Sequence, residues 1–211
     1  DGDPEAAKAA PSAGVGAGLS SRVAFRTPSF WMMVGATTLF GGAQSGMGLH
    51  FVPMMVWKGL SEVQGALMLT VWALGSVVTI VAVGALADRL GRFRVGGAAC
   101  LFIGTGVLLL NVEGTGLALW VAVILLSASS SLYPLMWSIL GELFGRRSYS
   151  TIRGYVMAAQ AGGTLGTPIL AGALFEATNS YSIPLAILVG MWGSAALLLF
   201  ASPRKSYVTA N

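Results

Sequence analysis

The sequence predicts an all-α membrane protein, one bundle of six transmembrane helices, and three observations carry that prediction. Hydrophobic residues make up 55% of the chain and charged residues only 9%, where a soluble domain carries about 25% charged residues. From Pro28 onward, long uncharged runs alternate with short charged breaks. When the breaks are assigned in turn to the two sides of a membrane, every basic residue except Lys58 falls on one side.

The same composition excludes other classes. A lone Cys100 excludes an internal disulfide framework, and His50, the single histidine, excludes a His-rich metal cluster. No nucleophile–base pair or metal-ligand cluster is visible, so no enzyme, metal or cofactor is expected. The net charge of +4 reports topology here, and no nucleic-acid partner is expected.

Taken in order, residues 1–27 read as a cytoplasmic linker. Asp1 to Ser21 is rich in Ala, Gly and Pro, with neither a helical apolar stripe nor the apolar core of a signal peptide, and the chain reads as a piece of something longer. Gly14-Val-Gly-Ala-Gly18 lacks the preceding strand and the following Lys-Ser/Thr of a phosphate loop.

The runs at 28–57, 63–87, 95–111, 117–141, 155–175 and 182–201 are the six expected spans. About 20 apolar residues cross a hydrocarbon core of about 30 Å. The third run is the shortest, and Phe93 and Arg94 extend it into the interface by snorkelling. Strands are excluded by the length of the runs and by the lack of period-two alternation. Residues 28–201 are therefore the transmembrane bundle, and 202–211 a cytoplasmic tail. Lys8, Arg22, Arg26, Arg89, Arg92, Arg94, Arg146, Arg147, Arg153, Arg204 and Lys205 share one side. Basic residues in short loops stay in the cytoplasm, which puts both termini there. The expected location is the plasma (bacterial inner) membrane, as a multi-pass protein.

The densest charge cluster between two runs is Gly84-Ala-Leu-Ala-Asp88-Arg89-Leu-Gly91-Arg92-Phe93-Arg94. Gly84 permits close helix contact, and Gly91 relieves the steric cost of a sharp turn. Asp88 needs donors, from Arg89 and Arg92 or from free amides at a neighbouring helix N-terminus. Two readings follow: a solvated turn that only satisfies the charge rule, or a latch that holds one conformation and breaks in another.

Gly84-x-x-x-Asp88-Arg89-x-Gly91-Arg92 resembles the cytoplasmic signature loop of the major facilitator superfamily, which follows the second helix of each six-helix half. Here too it follows the second of six. The family has two adjacent basic residues after the second glycine, and this chain has Arg92-Phe93-Arg94. Glu142-Leu-Phe144 followed by Arg153-Gly154 is similar to the Glu-x-Phe…Arg-Gly segment between the fourth and fifth helices of the family's C-terminal half. Residues 1–27 resemble the loop joining the two halves.

The resemblance implies the second half of a twelve-helix fold, itself two inverted three-helix repeats. It also implies a solute transporter working by alternating access, in which Asp88 meets the missing N-terminal six-helix half and Arg89 or Arg92 pairs with Glu142.

Gly42 and Gly46 in the first run, and Ala158, Gly162 and Gly166 in the fifth, lie four apart on one helical face and let backbones approach. Pro168 removes an amide, so a kink or hinge is expected there. Polar residues inside the spans point to a transport path, because hydrocarbon penalises them unless they face protein or water. The candidates are Gln44 in the first run, Ser130, Tyr133 and Trp137 in the fourth, and Gln160 in the fifth. The neighbouring serines 127, 129 and 131 compete for the same role, and serines of this kind also bond back to their own helix.

By resemblance, the first and fourth helices line the cavity, the second and fifth flank it, and the third and sixth face lipid. No Asp, Glu, Lys or Arg lies deep in any run, so any coupling ion would be bound elsewhere. Gly59-Leu-Ser61 and the segment from Gly145 to Gly172 are similar to the monocarboxylate and oxalate–formate branch, which implies a small organic acid as the solute. That branch uses an Arg in the second helix of this half, and none is present here. The other function class is a non-transporting membrane sensor or scaffold, or an inactive orphan half, of the same fold.

Overall fold

The computed structural model describes residues 18–112 and 116–203. The elements are α1 (Ser21–Ala24), α2 (Pro28–Trp57), α3 (Glu62–Leu90), α4 (Arg92–Leu109), α5 (Leu117–Leu126), α6 (Leu132–Phe144), α7 (Tyr149–Thr178) and α8 (Ser182–Ala201). A 3-10 turn at Ser127–Ser131 joins α5 to α6, and the three form one rod, Leu117–Phe144. Among the described residues the only strand-like pairing is an isolated bridge between Gly18 and Gly145. Lys8, Arg204 and Lys205 lie outside the described residues.

Helices α3, α6 and α7 run past the charges that bound the uncharged runs, because backbone geometry ends them instead. Gly91, Gly145 and Asn179 stop them at φ of 92°, 74° and 51°, in the left-handed region that glycine adopts freely and asparagine tolerates. Side chains cap the starts. Thr27 accepts from the Phe30 amide ahead of Pro28 at the first turn of α2, and Ser61 with Gln64 forms a reciprocal capping box on α3.

Six rods lie along the six uncharged runs, and four of them, α3, α4, Leu117–Phe144 and α8, are both long and apolar enough to cross a membrane, where six spans are expected from the sequence. α2 and α7 have 30 residues each, about 45 Å of helix, but glycines, hydroxyls and amides dilute their hydropathy. The reason is their packing. A Cβ added at Gly42 would lie 2.6 Å from Thr167 Oγ1, and one at Gly163 would lie 2.5 Å from the Thr38 carbonyl oxygen. The two backbones come together as small residues allow in membrane helix pairs.

α4 pairs with α8 in a similar way, the Phe200 ring covering Gly97 and Trp192 lying on Gly104. α3 touches the rod where Gly75 meets Ser127 and α2 where Gly65 meets Met55 and Val52, but it is the least covered of the apolar rods. Only 17% of its most apolar window is buried, against 39–61% in the other three apolar rods.

One end of the bundle collects residues 18–27, the α3–α4 turn and the α6–α7 turn. The Leu19 amide donates to the Phe144 carbonyl at 3.0 Å, Ala24 is fully buried, and the Phe25 ring sits 4.8 Å from those of Phe30 and Tyr155. The last ten residues of the stretch read as linker are therefore folded against the bundle. At the opposite end Lys58 Nζ donates to the Val112 carbonyl at 2.6 Å. The loops that the charge rule places together are together, and Lys58 is at the other end.

Candidate functional site

Three polar side chains at the midpoints of three rods meet in one cleft. Gln44 stands midway along α2, Ser76 midway along α3 and Ser130 midway along Leu117–Phe144. With Gly48, Leu69, Trp72 and Ala73 they line an open cleft of about 220 Å³. Ser130 Oγ donates to Ser76 Oγ at 3.2 Å, and Ser76 Oγ donates to the Trp72 carbonyl at 2.9 Å. Both serine protons are thereby engaged. Gln44 is half-buried, and among the described residues its amide has no hydrogen-bond partner. A polar group at the centre of a membrane is costly unless it meets protein, water or a ligand.

The serine run divides by role. Ser127 Oγ donates to the Ile124 carbonyl at 2.6 Å and Ser131 Oγ to the Ala128 carbonyl at 2.5 Å. These i−3 bonds accompany the tightening of the rod into its 3-10 turn. Thr79 of α3 then donates to the Ser127 carbonyl at 2.7 Å. Ser129 is buried, and among the described residues its hydroxyl has no partner. Of the four, Ser130 alone lines the cleft.

The remaining path candidates lie elsewhere. Tyr133 packs edge-on against Phe40, with ring centroids 5.1 Å apart. Trp137 lies one turn further towards the basic end, with the Arg153 guanidinium 4.6 Å from its ring centroid and the Tyr149 hydroxyl on its carbonyl at 3.1 Å. Gln160 is buried between α2 and α7, where it fills the space a side chain at Gly41 would need.

Pro168 is bracketed from α2. A proline at 168 removes the amide that would bond the Thr164 carbonyl, and Ser45 Oγ donates to that carbonyl instead at 2.8 Å. His50 Nε2 lies 3.0 Å from the Pro168 carbonyl and Nδ1 lies 3.0 Å from the Tyr181 hydroxyl. A carbonyl only accepts, so Nε2 carries a proton, and in the neutral ring Nδ1 accepts from Tyr181. Burial holds the Tyr181 phenol above its ordinary pKa, which keeps that proton in place. Gly42 and Gly46 face α7, whereas Gly162 and Gly166 have no atom near their missing side chains. Gly163 and Thr167, one position on from each, make the contact.

In the charged loop, Arg92 joins the two acidic residues. Its guanidinium reaches Asp88 and Glu142, each at 3.3 Å, with the three side chains 35%, 70% and 49% exposed. Arg89 makes no ion pair among the described residues. Gly84 and Gly154 face open space. Exposed pairs of this kind contribute about 0.2–1 kcal/mol each, too little to hold a bundle together but enough to bias two nearly balanced states.

Sequence reasoning missed Trp72 and Ser76 in the cleft, and Tyr181 beside His50. A hydroxyl at the midpoint of the second run was the available signal for Ser76. The Tyr181 contact spans 131 positions in the chain and left no local trace.

The chain matches the family model described as Major Facilitator Superfamily over residues 1–167. It is also similar to Monocarboxylate transporter 11 of Mus musculus, at 30% identity over 215 residues that cover 96% of this chain and 46% of that protein. The chain thus spans about half the length of this relative.

Proposed function

Because the chain belongs to the major facilitator superfamily, we propose that it is the C-terminal six-helix half of a secondary-active transporter and supplies one wall of a midplane path for a small organic acid. The family places it among multi-pass membrane transport proteins rather than enzymes. The observation that carries the reading is the convergence of Gln44, Ser76 and Ser130, from three helix midpoints, on one open cleft. In alternating access two bundles rock about a site near the bilayer midplane. One bundle taken alone would present its share of that site as an open cleft.

On this reading all six rods are spans. α2 and α7 need less apolar surface because their polar residues meet each other and the cleft rather than lipid. The exposed stripe Val63, Leu67, Leu74, Val78 and Val81 of α3 lies on the helix face opposite Met68 and Trp72, and it would receive the N-terminal bundle. Asp88 continues that stripe, positioned to meet a helix end from the other half. The end that carries the arginines is the cytoplasmic one, by the excess of basic residues. The substrate class rests on the relative's name and on the cleft's chemistry. A free amide offers N–H donors to a carboxylate oxygen, and the opposing charge would come from the other bundle.

Uptake of labelled short-chain monocarboxylates into proteoliposomes holding the full-length protein tests this. We expect saturable uptake, with KM raised about fivefold by Gln44→Ala, the worth of one hydrogen bond of about 1 kcal/mol. No uptake of any organic acid would favour the sensor or scaffold reading. Wild-type kinetics in Gln44→Ala would remove the cleft from the path.

A further inference from the structure

A cavity larger than the cleft lies elsewhere in the bundle. It is a groove of about 540 Å³ between the lower halves of α3 and α4, lined by Thr79, Val83, Leu86 and Leu90 on one side and Arg94, Val95, Ala98, Ala99 and Phe102 on the other, with Ala128 at its inner end. On α3 the lining residues recur at i, i+4, i+7 and i+11, a single helical face. Above Thr79 the same face is covered, since Met68 and Trp72 are buried. On this face α3 therefore leaves the bundle only in the half that leads to the charged turn.

Three properties of the groove select its occupant. Its walls are apolar apart from Thr79 and Arg94, and the Thr79 hydroxyl is already bonded to the Ser127 carbonyl. Its length, from Thr79 to Leu90, is about 16 Å at 1.5 Å per residue, close to half of a hydrocarbon core of about 30 Å. It therefore runs from the midplane to one membrane surface, the depth of a single leaflet. At its surface end stands Arg94, exposed and, among the described residues, without an ion pair, whereas Arg92 two positions earlier is taken by Asp88 and Glu142. Arg94 also lies in the first turn of α4, where the helix dipole favours an anion.

We propose that this groove binds an anionic phospholipid, one acyl chain lying along α3 and α4 and the headgroup phosphate on the Arg94 guanidinium. A neutral solute would leave Arg94 unmatched, and a free anion would leave the apolar walls empty. A phospholipid of net negative charge satisfies both ends at once. The groove lies on the side of α3 opposite the Val63–Val81 stripe, so the lipid and a second bundle occupy different faces. The proposal requires only that α3 and α4 lie in the membrane, and it is independent of what is transported.

Native mass spectrometry of the full-length protein, released from detergent and titrated with phosphatidylglycerol or phosphatidylcholine, tests it. We expect one phosphatidylglycerol to be retained about tenfold more tightly than phosphatidylcholine. Arg94→Gln should abolish that preference. Ala98→Phe, which fills the groove and leaves the charge, should reduce retention of both lipids. Arg94 and Ala98 are both exposed, so neither change disturbs the core, and the melting temperature of each variant checks this. Equal retention of the two lipids by the wild type, displacement of the lipid by inorganic phosphate alone, or a dimer that Ala98→Phe dissociates would each overturn the proposal.

Discussion

The α2–α7 pair and helix α3 have similar lengths, 30, 30 and 29 residues, and opposite constructions. α2 and α7 meet through glycines at backbone distance and through hydrogen bonds from Ser45 and His50 to the backbone around Pro168. α3 is the more apolar helix and the less buried one. In water this would be a contradiction, because apolar surface drives burial there. In a bilayer lipid covers apolar surface at no cost, and helices associate instead through close packing and polar contacts. Weak membrane signal therefore goes with the helices most firmly held by their neighbours, and the strongest signal marks the helix whose surface the bundle leaves bare.

The largest expected effect comes from adjacent glycines on α7. Gly163→Val would drive a branched side chain into the Thr38 carbonyl, a backbone atom that cannot step aside. Overpacking of this kind costs typically 1–3 kcal/mol, occasionally more, and here we expect the upper end or loss of folded protein. Gly162→Val, one position away and facing open space, should melt within about 0.5 kcal/mol of wild type. Thermal melts of the purified full-length protein would compare them. Similar destabilisation by both would mean that α7 is rotated about its axis, with Gly162 also turned towards a neighbour.

A smaller effect isolates the proline bracket. Ser45→Ala should cost about 0.6 kcal/mol, the average for hydrogen bonds between membrane helices, and at most about 1.7 kcal/mol, because the Thr164 carbonyl then has no donor. In a Pro168→Ala background the restored amide can bond that carbonyl within α7, so the same substitution should cost almost nothing. A double-mutant cycle on chemical or thermal unfolding measures the difference. Additive costs would show that Ser45 is not answering the proline.

Much of this was legible in the sequence, for physical reasons that also set the limits. The runs of 28–57 and 182–201 coincide with α2 and α8, since Thr27-Pro28 and the Tyr181–Ser182 turn mark those starts. The charges beyond Ala87 and Gly141 did not end their helices, because a charged side chain at the membrane surface is solvated without breaking a helix. The residues of the cleft were half legible. Intramembrane polarity singles out Gln44 and Ser130, but it cannot tell Gln160, spent on filling the space beside Gly41, from a residue facing the cleft. The glycine stripe was read one position out, at Gly162 and Gly166 instead of Gly163 and Thr167. Gly162 and Gly166 repeat every four residues as well as any packing stripe does, and only the neighbouring helix determines which face is used.

The smallest expected change in stability belongs to the loop where Arg92 joins Asp88 and Glu142. Both pairs are long at 3.3 Å and partly exposed, and through Arg92 of α4 they link the end of α3 to α6, away from the glycine-packed pair. Asp88→Asn or Glu142→Gln should therefore shift unfolding by less than about 1 kcal/mol and leave membrane insertion intact. If Asp88 serves as a latch to the other half, its loss should still slow transport several-fold, because a two-state equilibrium moves about tenfold for each 1.4 kcal/mol. The separation of the two readouts is what tests the latch. Initial rates in proteoliposomes that match wild type, beside an unchanged melt, would reduce the loop to a solvated turn that sets topology. A slowed rate beside an unchanged melt would show that its charges act between conformations rather than within one.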